Sequence, residues 1–182
     1  MAHDAVAAAV RQWLESLVIK LNLCPFAGRE LLNDRVRFAV TSATSEDELL
    51  NALQTELELL SADTSIETTL LIHPQVLGDF AAYNQFLDAA DGLLRYLELE
   101  GIYQIASFHP DYQFGGTEPN DVENFTNRAP YPLLHILREE SLERAIAEYP
   151  DVEKIPERNI KLMNSMGEEQ LRRLWQAWDG CA

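Results

Sequence analysis

Apolar residues recur along this chain in two rhythms. Val6, Val10, Trp13, Leu14, Leu17 and Leu21 lie three or four positions apart, the spacing that lines one face of a helix. This predicts a first helix from about Asp4, its N-cap, to Leu21. It stops at Asn22-Leu23-Cys24-Pro25-Phe26, where the proline biases Cys24 out of the helical region and leaves it on an extended turn. Arg35 to Val40 alternates polar and apolar side chains and reads as a strand. Ser45-Glu46-Asp47-Glu48 is a capping box opening a second helix to about Ser61, with Leu49, Leu53, Leu57 and Leu60 on its core face. Glu67 to Ile72 is β-branched and then apolar, a buried second strand ending at His73-Pro74. Gly78-Asp79 precedes a third helix, Phe80 to Leu99, and Ile102 to Phe108 forms a third strand ending at His109-Pro110. A polar and aromatic loop follows, from Pro110 to Ala129. Pro130 and Pro132 then suit the first turn of a fourth helix, which runs to about Glu148 and carries His135 and Glu139. A last helix, about Gly167 to Trp178, turns Leu171, Leu174, Trp175 and Trp178 inward.

Strands separated by helices long enough for crossovers imply an α/β fold. The expected architecture is a small sheet of about three strands, mainly parallel, with helices packed over it. A ferredoxin-like α+β arrangement with antiparallel pairing is the alternative, and a fourth strand has room in the Pro110 to Ala129 loop. At 182 residues, with no repeat and no long linker, the chain reads as one domain spanning residues 1–182.

Composition adds three constraints. The net charge of −16 repels phosphate backbones and anionic lipids, so nucleic acid and membrane surfaces are not the expected partners. The start of the chain lacks a basic segment followed by an unbroken apolar run, and no stretch of about 18 apolar residues occurs anywhere. Two cysteines, Cys24 and Cys181, are no disulfide framework, which suits a reducing cytoplasm.

If the strands run parallel, their carboxyl ends share one edge, where open α/β sheets bind ligands. That edge would gather Thr41-Ser42, His73 and His109. Three readings compete there. In the first, His73 and His109 help hold zinc or iron, and the loop carboxylates Asp111, Glu118, Asp121 and Glu123 complete the shell or act as a general base. No compact ligand motif accompanies them. In the second, Cys24 is a nucleophile activated by His109, with Asp111 the nearest carboxylate. In the third, the histidines are structural. A His135 to Glu139 hydrogen bond one helical turn apart would account for that pair without catalysis.

Thr126-Asn127-Arg128, just before the fourth helix, would place Arg128 and Asn127 at a helix N-terminus suited to an anion, with Tyr112 beside it. Gly115-Gly116 is no phosphate loop, because it lacks the lysine and hydroxyl of that motif.

Three segments carry a resemblance. Leu21-Asn22-Leu23-Cys24-Pro25-Phe26, Phe108-His109-Pro110-Asp111-Tyr112-Gln113-Phe114 and Asn127-Arg128-Ala129-Pro130-Tyr131-Pro132-Leu133-Leu134-His135 resemble the bacterial domain-of-unknown-function family fourteen-fifteen. The resemblance runs from the first helix to about Ile160. It implies one soluble bacterial domain and brings no reaction, cofactor or partner. Two functions are then expected to compete. One is a small enzyme with a His/Cys/carboxylate site at the strand-end edge, acting on a small anionic molecule. The other is a non-catalytic module that docks a protein on the 110–129 loop and the acidic surface.

Overall fold

A computed structural model describes residues 2–149 and 151–179, and the side chains of these except 176–179. Helix α1 (His3–Trp13) continues directly into a wider, π-helical stretch, Leu14–Ile19. There Lys20 N–H reaches the Glu15 carbonyl at 3.3 Å and Leu23 N–H the Val18 carbonyl at 2.8 Å, five residues back instead of four. The remaining elements are α2 (Ala27–Leu32), β1 (Val36–Val40), α3 (Glu46–Ala62), β2 (Thr68–Ile72), α4 (Phe80–Tyr96), β3 (Tyr103–Phe108), β4 (Leu133–Arg138), α5 (Glu139–Glu148), α6 (Ile155–Met166) and α7 (Glu168–Asp179).

Among the described residues the sheet has four strands in the order β1-β2-β4-β3. β1 pairs with β2 in parallel, and β4 is antiparallel to both β2 and β3. This corrects the expected three-stranded, mainly parallel sheet. The cause lies in Leu133–Arg138, which reads as the start of a helix but forms the strand between β2 and β3. Leu133, Leu134 and Ile136 are fully buried, because a central strand covered on both faces needs apolar residues on both. Such a run has no visible alternation, and the flanking prolines look like a helix start. The fourth strand is therefore not in the Pro110 to Ala129 loop but beyond it, and His135 lies on a strand, so no helical His135 to Glu139 pair exists.

Helices cover both faces, unlike the one-sided ferredoxin-like alternative. On one face Val6, Val10, Trp13 and Leu17 of the first helical segment meet Leu70, Ile72 and Leu133, together with Met163 of α6 and Leu171 of α7. On the other, Leu49, Leu53, Leu57 and Leu60 of α3 join Tyr83, Phe86, Ala90 and Leu94 of α4 over Leu71, Leu134 and Ile136. The four α3 leucines are completely buried. At roughly 1.5–3 kcal/mol for each buried leucine, this stripe outweighs any propensity term in fixing α3. The capping box forms with a shift of one residue. Ser45 Oγ accepts from Glu48 N–H at 3.3 Å, while the Glu48 carboxylate accepts from Thr44 N–H at 2.7 Å. Asp79 caps α4, accepting from Ala82 N–H at 2.9 Å. Asp4 does not cap α1; it sits in its first turn, after Ala2. Leu171 is inward as expected, Trp175 packs edge-on against Phe125 with ring centroids 5.9 Å apart, and the side chain of Trp178 and all of Cys181 lie outside the described residues.

Two side chains tie strands to helices. The buried Tyr83 hydroxyl donates to the Leu133 carbonyl at 2.8 Å and accepts from Phe108 N–H at 3.0 Å, joining α4 to β4 and to the end of β3. Arg138, last in β4, reaches the Leu60 carbonyl in the last turn of α3 and the Asp63 and Ile66 carbonyls after it, at 2.5, 3.1 and 3.0 Å. Tyr83→Phe keeps the ring and removes the hydroxyl, stranding a buried carbonyl and an N–H. It is expected to lower stability by about 2 kcal/mol in urea unfolding; a loss under about 0.5 kcal/mol would mean water replaces the hydroxyl.

Candidate functional site

β1, β2 and β3 all point the same way, since β4 is antiparallel to both of its neighbours. Thr41, His73 and His109 therefore do share one edge, although only one pair of strands is parallel. His73 and His109 flank Tyr83, with ring centroids at 5.8 and 5.1 Å from it. Phe80 and Tyr112 extend this cluster of rings outward, 5.1 Å from one another, and Phe114 follows Tyr112 at 5.0 Å.

Most polar groups at this edge are already engaged. His109 is buried; its Nε2 faces the Leu77 carbonyl at 3.1 Å and its Nδ1 accepts from Asp111 N–H at 3.0 Å. Both nitrogens are satisfied in one neutral tautomer, and burial pushes the ring's pKa down. His73 donates from Nδ1 to the Val76 carbonyl at 3.0 Å, and its Nε2 is sealed without a partner. Burial lowers its pKa to about 4. Among the described residues no group of three or more His, Cys, Asp and Glu gathers to hold a metal ion.

The 110–129 loop is a built structure. Asn124, fully buried, accepts at Oδ1 from Phe114 N–H at 3.0 Å and from the Thr117 hydroxyl at 2.9 Å, and donates from Nδ2 to the Glu118 carbonyl at 2.8 Å. Arg128 donates to the Tyr112 and Pro119 carbonyls at 3.3 and 2.6 Å and lies over the Phe125 ring at 4.6 Å. Asn127 takes His109 N–H on its carbonyl at 3.2 Å and donates from Nδ2 to the Ser107 carbonyl at 3.2 Å. These residues precede a strand, so the expected helix N-terminus for an anion is absent, and Arg128 spends its guanidinium on the loop itself. Asp111 is exposed; its carboxylate acts on His109 and Arg128 through its charge alone. Asn124 was the organising residue that sequence reasoning missed, because an asparagine in a loop gives no sign of which carbonyls will surround it.

Cys24 is not part of this edge. It lies on the opposite face of the sheet from His109, so the structure does not assemble a Cys24–His109 pair. Its turn is anchored by α6, where Asn159 Nδ2 donates to the Leu23 carbonyl at 2.9 Å. Burial pushes the Cys24 thiol up, although the Phe26 and Ala27 N–H groups pull weakly the other way. It is a neutral thiol at neutral pH, not an activated one.

Around Cys24 is a cavity of about 280 Å³ under the π-helical stretch, α2 and α5. Trp13, Leu14, Val18, Phe26, Leu70 and Phe108 form much of its wall, and Thr68, His135, Arg138 and Ser141 add polar groups. The register of the sheet explains the space. Ala106 is His135's partner on β3 and leaves room on that side, while Leu70 is its partner on β2 and Thr68, two residues along, reaches its ring at 2.7 Å. π-Helical turns are found frequently at functional sites, and this one shapes the cavity roof. The Trp13 indole N–H in the same wall is buried without a partner. Glu30 and Glu67 stand among the lining residues, and both pair with Arg35, at 3.3 and 2.5 Å.

A family model described as protein of unknown function (DUF1415) matches residues 5–173. The chain belongs to this family. No curated protein and no solved structure matches it. All three segments that carried the resemblance lie within the DUF1415 match, and in the fold they do separate work. The first holds Cys24 in the cavity wall. The second and third close the strand-end edge and then supply His135. Among the described residues no helix of this DUF1415 chain is long and apolar enough to cross a membrane.

Two expectations follow. The folded values near 4 for His73 and His135 lie below the ordinary value of 6.5, so between these limits the unfolded chain binds more protons than the folded one. Their contribution is complete above about pH 6.5 and is lost as pH falls towards 4. On the order of 2 kcal/mol per histidine should be gone by pH 5, read as a drop in the urea midpoint from pH 7.5 to pH 5; an unchanged midpoint would contradict buried neutral rings. Separately, Cys24 should react with a maleimide at pH 7 at least about tenfold more slowly than a free cysteine, given its burial and neutral state. A Cys181→Ser chain isolates that signal, and a rate equal to or above that of free cysteine would restore an activated thiol.

Proposed function

We propose that this protein binds a small, mostly apolar molecule in the cavity between the sheet and the π-helical stretch. The observation that carries this reading is the cavity itself: about 280 Å³ of space, walled mainly by aromatic and aliphatic side chains. That volume approaches the lower end of ordinary small-molecule sites, and an apolar wall with a few convergent polar groups is their usual form.

The reading replaces an anionic substrate by a neutral one. A largely apolar wall offers an anion little solvation, Arg138 in that wall is committed to main-chain carbonyls, and the net charge of −16 opposes an anion's approach. It also moves the site. The strand-end edge expected to carry a metal-dependent or thiol enzyme has His109, Asn127 and Arg128 tied into structural hydrogen bonds, whereas the cavity wall keeps polar groups unspent.

A second reading, docking of a protein on the 110–129 loop, draws support from the exposed acids Asp111, Glu118 and Asp121 on a rigid platform. Its rings weaken it, because Tyr112 packs on Phe80 and Phe114 packs on Tyr112 instead of forming an open patch.

Ala145 on α5 lines the cavity and is only partly buried, so it can be enlarged from the helix side. Small aromatic hydrocarbons at a hundredfold excess over their dissociation constant are expected to stabilise the parent chain by about 2.7 kcal/mol. Ala145→Phe, which fills the space, should abolish that gain while leaving cooperative unfolding intact. Equal stabilisation of both chains would place the ligand elsewhere, and none in the parent would sink the proposal.

A further inference from the structure

The hydrogen bonds around one cavity residue narrow the kind of molecule that fits, and this step rests on the cavity reading above. Thr68 donates its hydroxyl hydrogen to the Ile136 carbonyl at 2.6 Å. The same oxygen lies 2.7 Å from His135 Nε2, where it has no hydrogen left to give and must accept. His135 therefore carries its proton on Nε2. Burial holds the ring's pKa near 4, so it is neutral at neutral pH and Nδ1 presents a lone pair.

That Nδ1 has no protein partner among the described residues, and it is not among the sealed unpaired atoms as His73 Nε2 is. Its ring forms part of the cavity wall, next to the small side chain of Ala106. Trp13 belongs to the same wall, but its unpaired indole N–H is sealed as His73 Nε2 is. Nδ1 of His135 is thus an open, unused acceptor in a mostly apolar wall. A hydroxyl is the simplest uncharged group that can donate to it. The volume equals roughly nine waters of bulk liquid, the room needed by one substituted ring. Trp13, Phe26 and Phe108 supply aromatic surfaces for such a ring.

We propose that the cavity recognises an uncharged aromatic alcohol, a phenol-sized molecule whose hydroxyl donates to Nδ1 of His135. A carboxylate would set its lone pairs against that of Nδ1, and Arg138, the cation in the wall, already spends its guanidinium on the Leu60, Asp63 and Ile66 carbonyls.

Three probes of one shape test this: toluene, p-cresol and p-toluate, titrated into the full chain by calorimetry. The expected order is p-cresol about tenfold tighter than toluene, with p-toluate failing to bind at concentrations that saturate p-cresol. In His135→Phe, p-cresol should weaken to within about twofold of toluene while toluene itself is unchanged. If His135→Phe does not fold, histidine-labelled parent protein gives the same answer by nitrogen NMR, since p-cresol should shift His135 Nδ1 and toluene should not. Equal binding of toluene and p-cresol in the parent would overturn the hydroxyl assignment and leave the apolar cavity standing. Tightest binding by p-toluate would overturn it in favour of an anion site. Binding by none of the three would overturn both this assignment and the cavity reading on which it rests.

Discussion

The fold depends on β4 being paired on both sides. A strand inserted antiparallel between β2 and β3 has every main-chain group committed to a neighbour and both faces covered by helices, which is why Leu133, Leu134 and Ile136 admit no solvent. Its insertion has three consequences. It separates β2 from β3 while leaving them pointing the same way, so His73 and His109 still meet at one edge. It carries Arg138 to the end of α3, where the guanidinium satisfies carbonyls that the helix leaves unpaired. It also presents His135 to the face beneath the first helical segment, between Thr68 and Ala106.

The two groups of chemically capable residues on this chain consequently have opposite fates. At the strand-end edge, histidine, asparagine and arginine side chains are consumed in holding the long 110–129 connection against the sheet. A loop of that length needs internal partners for its backbone, and Asn124, Asn127 and Arg128 provide them. In the cavity the balance is reversed. The wall is mostly apolar, yet Nδ1 of His135 is left without a protein partner there. Unspent polar capacity on a cavity wall is a better pointer to a ligand than a crowd of titratable residues bonded to the main chain around them.

The π-helical stretch links the core beneath the first helical segment to this site. A wider turn at Leu14–Ile19 displaces the chain before it reaches the Cys24 turn, and Asn159 of α6 fixes the Leu23 carbonyl on the far side. The cavity is therefore enclosed by elements distant in sequence, from α1 to α5, each held by contacts that do not involve a ligand.

Sequence by itself determined the helices α1, α3 and α4 and the strands β1, β2 and β3. Periodicity of 3.6 or 2 is written directly in the order of apolar residues, and the Ser45 and Asp79 caps are local chemistry. It also determined that two histidines would end neighbouring-direction strands. Tertiary structure alone decided the identity of Leu133–Arg138, because a strand buried on both faces loses the alternation that marks it and its flanking prolines suit a helix start equally well. The same misassignment hid the role of His135. Whether Cys24 would face His109 or His135 depended on which side of the sheet each segment crosses, and whether Arg128 would be free depended on carbonyls folded around it from Tyr112 and Pro119. Those are properties of strand order and loop closure, which bring together residues whose spacing along the chain carries no record of their meeting.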